Sequence, residues 1–525
     1  MPTSLDMSQS SIDKHLGDVD EKAQSVGSVA AAPAHDVSPH SLRRNISALG
    51  IIGLGMSICN GWAAMSSTIV LGLSQGGTVV VLYGLIAIAI INVFLALNLG
   101  ELASAYPTAG GQYVWSAILA KGQRTRRIVS FAVGWTTLFA WITTTASVVM
   151  ILAEVVFAVV ELYRPEFNLQ RWQVYLVYLA TNWLSIAYNI FCSSRAPFVG
   201  KAFFYFSTLV FLAILGTVVG KAPAYNSNKF VWATYTNETG WVKGAGGAFV
   251  TIMTGLVNPG YLYAGLDGAV HIAEECTRPE RTVPLALLST VGMGFITGFA
   301  MSVALIYCVQ DLTAALAGEQ PFLTIIVQAT GSKACGTVFM VAFLLCLFVS
   351  ANSVHQATSR LIWSFARDNG LPFSANLTRL HPTYRVPVLP LLISGVGVTI
   401  LGALYCASTT AYGSIIGDCI ILGNISFAIP AIQLLLNRRE FKEDRWLRLG
   451  WLGAVANVVT ILFCILTTVM WLFPLTPKPA AIEMNYGSAV LGAMAVIALI
   501  DWFIVRGRFH GPTQEEVLLI NETSD

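Results

Sequence analysis

The sequence predicts an all-α polytopic protein that crosses a lipid bilayer twelve times. Three observations lead there. Asp, Glu, Lys and Arg make up only 11% of the 525 residues, against roughly 25% in a soluble chain. Hydrophobic residues make up 55%. The charge also sits in blocks: residues 45–100 carry none, nor do 128–153, 172–194, 244–266, 282–310, 334–359, 386–417 and 449–477. A helix needs about 20 apolar residues to cross the hydrocarbon layer. None of these runs has the ten-residue alternation of a membrane barrel.

Twelve helical spans fit the runs, at 46–70, 78–103, 128–158, 172–193, 196–220, 244–273, 284–308, 334–364, 387–407, 411–436, 449–473 and 486–506. Gly76-Gly77 splits the first run, Pro197 separates the fourth span from the fifth, and 408–413 separates the ninth from the tenth. Residues 1–44 are polar, rich in Ser, Asp and Ala, and have no apolar core of a signal peptide. They read as a disordered tail. The membrane core then covers 45–436, helices 11 and 12 cover 437–506, and 507–525 form a second tail.

Lys and Arg orient the chain. With the N-terminus in the cytoplasm, the inside segments carry 21 basic residues and the outside segments 7, with Lys14 and Lys22 of the tail left out. Both termini are therefore expected in the cytoplasm. The outside loop 221–243 holds the sequon Asn237-Glu238-Thr239, a glycosylation acceptor pattern, with chance as the alternative.

The remaining composition narrows the function. A net charge of +2 gives no reason to expect nucleic acid. The nine cysteines are scattered without a CxxC pair and read as small apolar core residues, not as a metal site. No nucleophile motif or glycine-rich nucleotide loop suggests an enzyme, and no resident cofactor is expected.

A carrier needs a polar site at mid-membrane, where free backbone groups are tolerated only if they line a cavity. Interrupted helices at matching places in two halves of a chain mark such a site. Span 1 crowds Gly50, Gly53, Gly55, Ser57, Cys59, Asn60 and Gly61 into an apolar helix. Span 6 holds Asn258-Pro259-Gly260 and then Gly265 and Gly268. Proline removes a donor and clashes with the preceding turn. Each break falls in the first helix of a five-helix unit, about 45–220 and 244–436, as an inverted repeat requires. Close packing of small residues is the alternative.

Asp267 sits at the span 6 break, and a carboxylate at that depth is a functional candidate by default. His271 follows one turn later and is placed to share a proton with it. Lys201, near the inner end of span 5, reads either as a titrating lysine or as a snorkelling one. Glu101 is expected to bond loop backbone. Thr143–Thr145 in span 3 and Ser350, Asn352, Ser353 and His355 in span 8 are expected to line the path or to bond between helices.

Three stretches carry a family resemblance: 100–113 (GELASAYPTAGGQY), 273–284 (AEECTRPERTVP) and 360–372 (RLIWSFARDNGLP). They resemble the loops after spans 2 and 6 and the end of span 8 in permeases of the amino acid–polyamine–organocation superfamily. Residues 237–241 (NETGW) and 266–271 (LDGAVH) are most similar to its fungal amino acid/choline transporter branch. The resemblance implies the LeuT-like fold, a 5+5 inverted repeat plus two C-terminal helices. It implies a substrate site at Cys59, Asn60, Gly61, Trp62, Tyr261 and Asp267, and the residues beside it add Tyr263, Gly265, Ser350 and Asn352 as candidates. Asp267 stands where amino acid permeases often have glutamate, and Cys59-Asn60-Gly61 replaces their Gly-Ser-Gly run. Trp62, Tyr261 and Tyr263 would offer a cation–π surface to an amine.

The expected function is secondary transport of an amino acid, choline-like amine or related nitrogenous solute, with a coupling proton on Asp267, His271 or Lys201. The alternatives are an exporter of an amine-containing specialised metabolite and a transporter-like nutrient sensor. The plasma membrane is the expected location, with the vacuolar membrane as the alternative. Import versus export and the oligomeric state stay open.

Overall fold

The computed structural model describes residues 46–192, 196–237, 239–242, 244–318, 320–441, 443–480, 484–513 and 515. The expected tail at 1–44 and most of the expected tail at 507–525 lie outside them. Eleven helices are long and apolar enough to cross a membrane. The remaining predicted span, the sixth at 244–273, is present but in pieces: Ala245–Gly255, Val257–Tyr261 and Gly268–His271. Span 1 is also interrupted, into Ala48–Ile58, Gly61–Ser67 and Ile69–Ser74. The continuous spans are 2 (Gly77–Ala105), 3 (Gln123–Tyr163), 4 (Arg171–Phe191), 5 (Ala196–Lys221), 7 (Pro279–Cys308), 8 (Lys333–Arg367), 9 (Val388–Ala407), 10 (Thr409–Leu436), 11 (Trp451–Met470) and 12 (Gly487–Val505). Span 3 is longer than the predicted 128–158. Its uncharged run ends at Arg127 and Glu154, but the helix continues through both.

The two five-helix units pack with internal symmetry. Spans 2, 3 and 4 each lie against their counterparts 7, 8 and 9. Span 1 packs on span 5 as the middle of span 6 packs on span 10, and span 3 packs on span 10 as span 8 packs on span 5. Each unit also inserts a short helix between its second and third spans, Gln112–Leu119 in the first and Pro321–Thr330 in the second. Spans 11 and 12 lie outside this arrangement, span 11 against 2 and 10, span 12 against 3 and 10.

Small residues let these helices touch. A Cβ on Gly53 would meet the Gly200 carbonyl at 2.6 Å, and one on Gly61 the Gly294 carbonyl at 2.5 Å. Spans 1, 5 and 7 therefore meet backbone to backbone, the usual device where lipid removes any hydrophobic drive between helices. The outward faces stay apolar, with Leu209, Ile296, Ile400, Leu462 and Phe503 all exposed.

Candidate functional site

The span 1 break follows from its caps. Ser47 accepts from the Gly50 N–H and starts the first segment. At Cys59 (φ −97°, ψ 63°) and Asn60 (φ −70°, ψ 86°) the chain leaves helical geometry, then resumes at Gly61. The ends of both segments leave main-chain groups without intrahelical partners. In span 6, the short helix Val257–Tyr261, with Pro259 at its centre, ends regular pairing at Tyr261. Residues 260–268 run through tight turns, with Tyr263 N–H bonded to Gly260 O, Ala264 to Tyr261, Leu266 to Tyr263 and Gly268 to Gly265. Gly265 takes φ +79°, and a Cβ there would press on Ile58 at 2.9 Å and Trp141 at 3.4 Å. Only glycine fits this position without strain.

Two lobes of unfilled space flank the span 6 turns and share Thr144 and Ala264 as walls. The first, with about 30 Å³ of free volume, lies between the breaks and is lined by Asn60, Ser67, Tyr261, Ser350 and apolar residues of spans 1, 3 and 8. Asn60 accepts from Ser207 through Oδ1, while its buried Nδ2 has no partner among the described residues. The second, with about 20 Å³ of free volume, lies behind span 6 against spans 2, 3, 10 and 11. Asp267, Asn92 and Asn424 supply its polar groups, and Trp141, Tyr263, Phe427 and Phe463 its rings.

Asp267 is 4% exposed and His271 fully buried. Three donors converge on Asp267 Oδ2: Gln112 Nε2 at 2.6 Å, Trp141 Nε1 at 3.2 Å and His271 Nε2 at 3.0 Å. No described hydrogen bond falls on Oδ1. His271 Nδ1 lies 2.8 Å from the Ala109 carbonyl. A carbonyl only accepts, so Nδ1 carries hydrogen. The opposite contact is then satisfied either as imidazolium against carboxylate or as imidazole against carboxylic acid. Both arrangements hold one shared proton. Without it, two lone pairs face each other across 3.0 Å.

Below the lobes, at the end of the bundle that carries Arg278, Arg360, Arg367, Arg439 and Arg445, the structure is sealed. Ile46 forms a β-bridge with Cys276. Arg360, 2% exposed, binds Glu275 at 2.7 Å, and Arg367 binds both oxygens of Glu274 at 3.0 Å. Burial opposes the charge on Glu274, but Arg367, the Ala109 N–H and Thr108 together hold its carboxyl below the ordinary glutamate value. Glu101 accepts from Arg439, Arg445 and the Leu449 N–H, tying span 2 to the segment after span 10. The Leu449 N–H is the loop-backbone partner expected of Glu101, and the two arginines join it.

Of the residues expected at the site, Asn60, Tyr261 and Ser350 line the first lobe and Tyr263, Gly265 and Asp267 the second. The Cys59 thiol bonds the Ala264 carbonyl between them at 3.2 Å. Trp62 lies elsewhere: it donates to Ser207 and packs among Phe211, Phe322 and Phe343. Gly61 serves the contact with span 7. Asn352 is turned to Phe348 and Asn189. Lys201 is exposed and lines neither lobe, which fits the snorkelling reading. Asn237 bonds Thr239 and bridges to Gln75, while Glu238 of the sequon lies outside the described residues. Sequence reasoning missed Gln112, Trp141 and the span 10 wall. Gln112 stands in a quoted motif, and its amide beside Gly110-Gly111 was the available signal.

Residues 46–497 match the family model described as "Amino acid permease". A choline transporter of Saccharomyces cerevisiae is 35% identical, over 96% of this chain and 87% of that protein. A putative amino acid/polyamine transporter of Macrophomina phaseolina is 30% identical, over 84% of this chain and 97% of its own length. A swainsonine transporter of Arthroderma benhamiae is 29% identical, over 87% and 90%. With the broken spans, the paired five-helix units and a match over most of its length, the chain belongs to the amino acid permease family, whose members are transporters and not enzymes.

Proposed function

We propose that this permease moves a cationic nitrogenous solute, a choline-like amine ahead of an ordinary amino acid, by alternating access through the two lobes. The observation that carries this is the second lobe: a buried carboxylate with Oδ1 unbonded, surrounded by Trp141, Tyr263, Phe427 and Phe463. A quaternary ammonium has no N–H to donate. It is held by ring faces and a counter-charge, and both are present here. Asn60 Nδ2 in the first lobe offers a donor to a hydroxyl or carboxylate of a molecule passing through that lobe. The choline transporter named among the relatives supports the reading.

The Asp267–His271 pair is the proposed coupling site. A proton on the pair and a cation at Oδ1 oppose each other, so each loads best when the other is absent. Spans 1, 2, 6 and 7 rock against the rest, with both termini in the cytoplasm and the protein in the plasma membrane. The test is uptake of radiolabelled choline, polyamines and amino acids, at two pH values, in cells lacking their own permeases. Choline uptake with a KM that rises as pH falls supports the reading. Uptake confined to neutral amino acids, with no effect of pH, refutes it. The swainsonine transporter among the relatives favours a second reading, export of an amine-bearing metabolite. Efflux from preloaded cells without matching uptake would select it.

A further inference from the structure

Connecting loops normally run over the surface. The loop between span 2 and the helix Gln112–Leu119 does not: from 101 to 117 every residue is buried except the half-buried Pro107. Gly111, at φ +55°, lies so close to span 6 that a Cβ would meet Val270 at 2.9 Å and His271 at 3.4 Å. What this loop touches is the Asp267–His271 pair on one side and the basic-end seal on the other.

The bonds run without interruption. Gln112 Nε2 donates to Asp267 at 2.6 Å. Gln112 is fully buried, and its Oε1 has no partner among the described residues, so its one hydrogen bond is this donation. His271 Nδ1–H donates to the Ala109 carbonyl at 2.8 Å, and the N–H of the same Ala109 donates to Glu274 at 3.1 Å. Glu274 is held in turn by Arg367 of span 8. Next to Gln112, the Tyr113 hydroxyl lies 2.9 Å from Ser364 and 2.7 Å from Asp368, also at the end of span 8. One alanine thus has its carbonyl on the proton-holding histidine and its amide on the ion pair that closes the path.

We infer that the buried loop 106–112 links these two events, with Gln112 as its positioning residue, so that loading the Asp267–His271 pair and releasing the Glu274–Arg367 seal occur together. The inference rests on the proposed role of that pair. Neutralising Asp267 weakens the Gln112 bond, since hydrogen bonds to ionised groups are the stronger ones. The loop then loses its fixed position, and the Ala109 N–H leaves Glu274. Around the pair, the packed elements bring Cys59 of span 1, Glu274 and Glu275 of the adjoining turn, and Arg360 and Arg367 of span 8. Glu280 and Arg281 at the start of span 7 are half-buried and exposed. The Glu274, Glu275, Arg360 and Arg367 charges cancel as two ion pairs.

Cys276 is a native reporter of the seal, fully buried beneath Ile46. A membrane-impermeant maleimide is applied from the cytoplasmic side in inside-out vesicles, and its attachment to Cys276 is quantified by mass spectrometry as a ratio to the unaltered protein at the same pH. Gln112→Met, which touches neither Cys276 nor Glu274, is expected to raise labelling about fivefold or more, a typical coupling between linked sites. Gln112→Glu installs a carboxyl that donates to Asp267 only while protonated. Burial beside a second carboxylate raises such a carboxyl above the ordinary glutamate value of about 4.3, so its labelling ratio is expected to stay near one at about pH 5 and to rise about fivefold by about pH 8. Unchanged labelling in both variants overturns the inference. So does an equal rise at both pH values, which would mark a packing role. If Gln112→Met does not accumulate, the pH contrast in Gln112→Glu decides alone. Labelling as expected together with normal, pH-independent transport by Asp267→Asn would leave the link standing and remove the coupling reading instead.

Discussion

Replacing Asp267 by asparagine changes the charge at the span 6 turns and almost nothing in size. The amide oxygen still accepts from Gln112 and Trp141, but each bond now ends on a neutral group. Hydrogen bonds to charged partners contribute about 1.5–3 kcal/mol and neutral ones about 0.5–1.5 kcal/mol, so these two bonds together weaken by about 2 kcal/mol, and a neutral His271, its Nδ1–H held by Ala109, has no hydrogen for the amide oxygen. Oδ1 becomes an NH₂ pointing at the lobe where the cation would sit. Removing one member of a buried charge pair costs about 2–5 kcal/mol. At about 1.4 kcal/mol per decade, KM for a cationic amine should rise from about thirtyfold to several thousandfold. The pH dependence of uptake should vanish as well, because His271 no longer faces a group that competes for its proton. The assay is initial-rate uptake of labelled choline at two pH values, normalised to protein at the cell surface. Wild-type KM with wild-type pH dependence in Asp267→Asn would refute both the binding and the coupling roles of this carboxylate.

Gly265→Ala forces a Cβ into φ +79° and against Ile58 and Trp141. A left-handed non-glycine residue costs about 1–2 kcal/mol, so the melting temperature should fall and transport should drop with it; an unchanged melting temperature would contradict the turn geometry. Trp62→Phe removes the bond to Ser207 among packed rings. It should lower stability by about 1 kcal/mol while leaving KM unchanged, and a KM rise would return Trp62 to the site. Glu274 is held below its ordinary value mainly by Arg367 acting against burial. Because the folded value lies below the unfolded one, its contribution to stability is complete above about pH 4.3 and is lost as pH falls through the lower folded value. Thermal melts of detergent-solubilised protein should lose that acid-side step in Glu274→Gln, and an unaltered pH profile would argue against the ion pair.

The span pattern was legible because hydrocarbon leaves little choice: a helix that crosses it must be long, apolar and uncharged. Both breaks were legible as well: Cys59-Asn60-Gly61 marks the first, and the second follows Asn258-Pro259-Gly260, which stays in the short helix Val257–Tyr261 while the chain leaves helical geometry at the next glycine, Gly265. What the sequence could not convey was facing. Trp62 lies two residues from the break at Asn60, yet its ring turns to spans 5 and 8, because Gly61 lets span 1 press on span 7 and rotates the next side chain away. Trp141 looked like one more apolar residue in an uncharged run. It became a site residue only when span 3 crossed behind the span 6 turns. Gln112 meets Asp267 across 155 positions of sequence, a contact that no local pattern encodes. Lys201 and Asp267 looked alike as membrane-region charges, but one has a stem long enough to reach the surface and the other does not.

A density map of the purified protein with labelled-panel choline bound would test the central claim most directly. The account predicts the trimethylammonium among Trp141, Tyr263, Phe427 and Phe463, facing Asp267 Oδ1. Ligand bound at a site that touches neither interrupted helix, with both lobes left to side chains or water, would contradict it.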